Sequence, residues 1–204
     1  MGDARIRQMP EGARALVEVL AVAGQPTDAG AAYLAAGLSG DERPLVTSLR
    51  IAHLVRASST GERIELYHDR IREHYARQLS APATRRVHLR LAQSLEAKAF
   101  DDPEVLYEHY LGAGDPARAA GHAARAAEVA QRALAFERAA EFYQRALECS
   151  PGAEAVPTSW YVGLGDALAS AGRGGEAAKA YLSQLSGQTG KTRWSWNAGR
   201  VSNS

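Results

Sequence analysis

The sequence predicts a mostly α-helical chain, interrupted by one short β-hairpin and continued by stacked helical hairpins. Three observations lead there. Alanine supplies 41 of the 204 residues while aromatics make up only 7%, a composition that suits close-packed helices better than sheets of β-branched and aromatic residues. Apolar residues recur at three- and four-residue spacing over most of the chain, with two short alternating runs breaking the pattern in one place. Proline, aspartate and glycine stand where such helices would start and stop.

Taken in order, Pro10-Glu11 opens a helix carrying Ala13, Leu16, Val17, Leu20 and Ala21, and Gly24 closes it. Pro26-Thr27-Asp28 opens a short second helix with Thr27 as its N-cap, ending at Gly37. Ser39-Gly40-Asp41 sets up a third with Leu45, Leu49, Ala52 and His53, where Pro44 is tolerated because it falls in the first turn. Leu54–Ala57 and Arg63–Tyr67 then alternate around Ser58-Ser59-Thr60-Gly61-Glu62, the pattern of a hairpin with a five-residue loop. Three helices followed by a hairpin is the order of a winged helix-turn-helix.

Beyond the hairpin the helical period returns. Helices are predicted over His68–Leu79, from Pro82 to about Ala99, from Asp102-Pro103 to Gly114, and from Asp115-Pro116 to about Leu134. Three more follow: Glu137–Cys149, about Pro157–Ala171 and Gly174–Leu185. Turns of two to four residues make such helices antiparallel neighbours. From Ser186 onward Gly, Ser, Thr and Asn surround Trp194 and Trp196 without periodicity, so this tail is expected to be disordered.

Charge narrows the function. With 24 Lys+Arg against 23 Asp+Glu the formal net charge is +1, so no bulk field draws the chain to nucleic acid or membrane. The lone Cys149 rules out an internal disulfide framework, and no signal peptide or 18-residue apolar run is present; a cytoplasmic protein with no membrane contact is expected.

Two stretches align with each other 38 residues apart. In the second, Tyr161, Leu164, Gly165, Leu168, Gly172, Ala177 and Tyr181 stand at the spacings of a tetratricopeptide repeat. Small residues at Gly165 and Ala177 belong where the helices of a hairpin approach most closely, with Tyr181 filling the space beside them. In the first, Ala139, Tyr143, Ala146 and Pro151 match the second half of the motif, and Ala127 takes the small position of the preceding helix. Gln184 departs from the motif's usual Ala, and the hairpin from 82 to 114 fits only as a degenerate member.

Leu66-Tyr67-His68-Asp69-Arg70-Ile71-Arg72-Glu73 resembles the end of the winged-helix domain in bacterial signal-transduction ATPases of the STAND and AAA type. There a hairpin ends in an aromatic or Met followed by His-Asp and an amphipathic helix. The runs Asp115–Ala120 and Phe136–Glu141 resemble the repeat region of large regulators that fuse such an ATPase to a serine/threonine kinase, a nucleotide cyclase or a transcription activator. The resemblance implies a winged helix over 10–80 after an N-terminal extension over 1–9, tetratricopeptide-like repeats over 81–185 and a tail over 186–204. It also makes His68, with Asp69 beside it, the nucleotide sensor. ATP or ADP would then belong to an upstream module outside this chain, which itself calls for no cofactor. The only phosphate-loop-like string, Gly187–Thr192, has Leu185 where the loop's first Gly belongs and joins no buried strand to a helix.

No catalytic or metal-ligating set emerges from spacing. His68 and His74 are six apart and do not share a helix face, His109 and His122 sit on different helices, and Cys149 has no evident His partner. The expected function is therefore a non-enzymatic regulatory fragment whose repeats bind a protein or peptide partner. The competing expectation is a DNA-binding regulator presenting Arg43 and Arg50 from the third helix and Arg56 from the wing. Asp41, Glu42, Glu62 and Glu65 make that face mixed in charge and count against it.

Overall fold

The computed structural model describes residues 9–40, 42–100, 102–150, 152 and 156–187. The N-terminal extension up to residue 8, Asp41, Pro151, the phosphate-loop-like string beyond Gly187 and the tail all lie outside them. Among the described residues the chain is mostly helical with one small antiparallel sheet, as composition and periodicity predict. It divides into two compact units, one reaching Ala126 and the other starting at Ala127.

The first unit begins with α1 (Glu11–Ala23), β1 (Thr27–Asp28), α2 (Ala29–Ala35), α3 (Arg43–Ile51), β2 (Val55–Ala57) and β3 (Arg63–Leu66). Gly24 closes α1 in the left-handed conformation at φ 72°, its N–H donating to the Leu20 carbonyl. The expected hairpin is present, with Val55 opposite Leu66 and Arg56 opposite Glu65. A second pairing joins it: Thr27 lies opposite Ile64, so β3 is the central strand of a sheet ordered β1-β3-β2. This corrects the expected role of Thr27. Thr27 is a buried strand residue, and Asp28 caps α2 by accepting from the Ala31 N–H at 2.7 Å.

α4 (Asp69–Gln78), which packs on α1 and β3, is followed by α5 (Ala81–Ala97), which packs on α1 and α2, by α6 (Pro103–Ala113), which packs on α5, and by the first part of α7 (Pro116–Arg132). Leu16, Val17 and Leu20 of α1 share one core with Leu49, Val55, Ile64, Leu66, Tyr75 and Leu91. A smaller core joins Ala31, Leu95 and Leu106. The expected boundary at 80/81 therefore does not divide the packing, because Leu91 of α5 belongs with the core of α1. Caps explain the helix starts: Asp102 accepts from the Glu104 and Val105 N–H groups, and Asp115 from that of Arg118.

The second unit contains the end of α7 from Ala127, then α8 (Phe136–Cys149), α9 (Thr158–Ser170) and α10 (Gly174–Gly187). α9 packs against both α8 and α10. Gly172 ends α9 at φ 79°, while the corresponding turn after α7 uses Leu134 at φ 59°, a non-glycine in the left-handed region.

Candidate functional site

The hairpin exit holds His68 and Asp69. The Tyr67 N–H donates to the Leu54 carbonyl at 2.9 Å, after which His68 takes extended backbone angles and becomes the N-cap position of α4. Its carbonyl accepts from Ile71 and Arg72, but its imidazole does not cap the helix. The ring instead meets Tyr67 edge-on at 4.6 Å, and Tyr67 in turn meets His53 at 5.7 Å. Asp69 is exposed and lies 3.5 Å from the Arg72 guanidinium. Three exposed rings thus line up where α3 ends and α4 begins.

The arginines of the DNA-binding alternative are placed unequally. Arg43 and Arg50 stand exposed at the two ends of α3. Arg56 is held across the hairpin by Glu65 at 2.8 Å, which raises its pKa further and leaves one fewer guanidinium for a phosphate. Arg63, on the other side of the wing, donates to the Pro26 carbonyl at 2.7 Å.

In the second unit most of the residues at the expected repeat positions are buried. Ala127, Ala139, Ala146, Leu164, Gly165 and Ala177 are buried, Tyr143 is 5% exposed, and Tyr161 is half-buried. A Cβ at Gly165 would lie 2.4 Å from Tyr181 Cε1, so the ring occupies the space that the missing side chain leaves. The same device operates once more where the repeat motif does not announce it: a Cβ at Gly163 would lie 2.3 Å from Tyr143 Cζ. Each tyrosine also has a polar tether, Tyr143 donating to Gln131 at 3.4 Å and Tyr181 to Asp166 at 2.6 Å. Arg173, just past Gly172, binds Glu176 at 2.8 Å and reaches Glu137 of α8 at 2.9 Å.

Sequence reasoning did not find the polar cluster on α5, α6 and α7 of the first unit. The Glu96 carboxylate accepts from the Tyr110 hydroxyl at 2.5 Å and lies 3.2 Å from His122 Nε2. Tyr110 and His122 stack with their planes 6° apart, and Arg118 donates to the tyrosine oxygen at 3.3 Å. Nδ1 of His122 is buried without a partner, which fits a neutral ring donating from Nε2 to Glu96. Burial lowers the pKa of this histidine, and Arg125 and Arg118 add to the effect, although Glu96 opposes it. Nearby, His88 Nδ1 and His109 Nδ1 are 3.1 Å apart, and the His88 ring covers Gly112, whose Cβ would sit 2.6 Å from it. Burial, helped by the neighbouring His88, takes His109 down to about 4. Apart from His122 Nδ1, the ring and carboxylate atoms named here bond to one another across three helices. Among the described residues no set of three or more His, Cys, Asp or Glu side chains is placed to hold a metal ion, and burial beside Glu148 pushes the Cys149 thiol up, away from a reactive thiolate. No helix among them is long and apolar enough to cross a membrane.

Comparison of the chain with protein-family models, with curated proteins and with solved structures finds no match.

Proposed function

We propose that this chain is a non-catalytic regulatory piece of a bacterial signal-transduction ATPase or ATPase-linked serine/threonine kinase. In it a winged helix is followed by tetratricopeptide-like repeats that bind a protein partner in the cytoplasm. The observation that carries the proposal is the pair of tyrosine-on-glycine contacts on α9. Tyr143 of α8 and Tyr181 of α10, 38 residues apart, each fill the space over a glycine of α9, one from the preceding hairpin and one from its own, so α9 is packed closely against helices on both sides, as a helix within a stack of hairpins is. Support for the winged helix comes from the order α1-β1-α2-α3-β2-β3 with the sheet ordered β1-β3-β2.

The repeats would act as a surface, not as a reaction centre. Val129 and Leu134 are exposed apolar residues of the second unit, and Leu134 is 73% exposed. The test is affinity capture from the source cell with the wild-type chain and with a Val129→Asp/Leu134→Asp variant. A protein recovered by the first and lost with the second supports the reading; equal recovery of every protein by both rejects it. The DNA-binding alternative is favoured by exposed Arg50 on α3 and predicts a mobility shift of duplex DNA at low salt that Arg50→Ala reduces.

A further inference from the structure

The surface where α3 ends and α4 begins carries features that packing of the first unit does not require. α3 terminates with the His53 N–H on the Arg50 carbonyl and the Leu54 N–H on that of Leu49. This geometry puts residue 53 in the left-handed region, at φ 53°. Glycine occupies such positions at least cost, and an imidazole there is strained without being buried. Its ring is used instead to brace Tyr67, which is 41% exposed, and Tyr67 braces His68. The Tyr67 N–H on the Leu54 carbonyl ties the two chain segments together beneath the rings. Ile51, two residues before His53, is 75% exposed. Rings held against each other lose little freedom on binding, and exposed aromatic anchors are the groups that dominate protein interfaces.

The surrounding charges set the character of a partner. Arg50 precedes the rings by one helical turn and Arg70 follows them in the first turn of α4; both are exposed and lie within ion-pair distance of no carboxylate among the described residues. Arg56 and Arg72 are different, being paired with Glu65 and Asp69. The margin of the patch therefore offers cationic groups, and Asp69 beside Arg72 is the acid nearest in sequence. Duplex DNA fits less well, since it needs a continuous basic face, and here Arg56 and Arg63 are both engaged within the fold while Glu62 and Glu65 share the wing.

We propose that His53, Tyr67 and His68, with Ile51 beside them and Arg50 and Arg70 at their margin, form a docking patch for an acidic protein segment that carries an aromatic or aliphatic anchor. The patch belongs to the first unit and is independent of the repeats, so it survives if they bind nothing.

The experiment titrates the full chain with a random copolymer of glutamate and tyrosine while following backbone amide resonances. Shifts are expected at 51–54 and 67–70. Tyr67→Ala and the Arg50→Glu/Arg70→Glu pair should each weaken binding by about tenfold or more, whereas Lys179→Glu in the second unit should leave it unchanged. His53→Gly is the control for folding: it relieves the strained backbone, so weaker binding by a variant at least as stable as wild type is loss of the ring itself. The proposal is overturned if no amide in the two segments responds. It is equally overturned if binding persists in Tyr67→Ala and His53→Gly, or if duplex DNA shifts the same amides at lower concentration than the copolymer.

Discussion

Gly163→Ala is the substitution on which the repeat packing can be judged most sharply. Two effects oppose each other. Alanine in a helix interior is favoured over glycine by about 0.8–1.0 kcal/mol. Against this, the new Cβ would sit 2.3 Å from Tyr143 Cζ and 2.6 Å from its hydroxyl oxygen, where a carbon contact wants about 3.5–4.0 Å. The ring must therefore retreat by more than an ångström. It is buried and tethered to Gln131, so α8 and α9 separate or the rotamer is lost, and overpacking of this kind costs about 1–3 kcal/mol. The clash outweighs the propensity gain, and a net destabilisation of about 1–2 kcal/mol is expected. Gly121→Ala is the matched control, because α7 leaves open space at that position; it should stabilise by up to about 1 kcal/mol. Urea denaturation followed by circular dichroism reads the sign, and amide exchange in α8 and α9 localises it. Shortening the ring should rescue the defect, so Tyr143→Ala combined with Gly163→Ala should cost less than the two single changes added. If Gly163→Ala stabilises the chain as Gly121→Ala does, the ring does not occupy the glycine's place and the close packing of α8 on α9 fails.

The remaining predictions concern acid, backbone strain and an ion pair. His109 falls from the ordinary 6.5 to about 4 in the folded chain, so the unfolded state takes up its proton first. Its contribution is complete above 6.5 and is lost as pH falls through the window from 6.5 to about 4, a total of about 3 kcal/mol at one proton per site. Urea midpoints measured on either side of that window should show the loss in the wild type and a shallower one in His109→Gln; equal slopes would refute the buried neutral pair. Leu134→Gly should stabilise by about 0.5–1 kcal/mol, since it relieves a left-handed non-glycine and removes an exposed apolar side chain, and a lower melting temperature would contradict it. Arg173→Ala should lower the melting temperature more in dilute salt than in concentrated salt, because its links to Glu137 and Glu176 are partly exposed; an effect independent of salt would point to packing of the side-chain stem instead.

Helix ends were legible in the sequence because the chemistry that sets them is local. Asp102 before Pro103, Asp115 before Pro116 and Gly24, Gly114 and Gly172 after their helices act within a few residues of themselves. β1 was not legible for the opposite reason. Thr27-Asp28 has the composition of a helix start, and only pairing with Arg63 and Ile64, more than thirty residues away, makes it a strand. Periodicity also identifies a buried face without naming what covers it. The apolar positions of α5 predict burial correctly, yet nothing local says that Leu91 meets the core of α1 while Leu95 joins Ala31 and Leu106.

The same distinction separates the two glycines of α9. Gly165 was readable because its partner Tyr181 lies within one hairpin, at a spacing that recurs among repeats, whereas Gly163 receives a ring from the preceding hairpin across a linker of irregular length. The cluster of Glu96, Tyr110, Arg118 and His122 is harder still, since its members come from three helices and share no motif. Its chemistry nonetheless bears on function. A single carboxylate faces both a phenol and an imidazole, and the arginine adds a cation where a general acid or base would need a free position for substrate. Glu96 of α5, Tyr110 of α6 and Arg118 and His122 of α7 are bonded to one another, so the arrangement staples three helices together. His53 and Tyr67 in the first unit and Leu134 in the second are among the side chains that stay strained or exposed, and strain or apolar exposure of this kind is what the proposed recognition of another molecule would use.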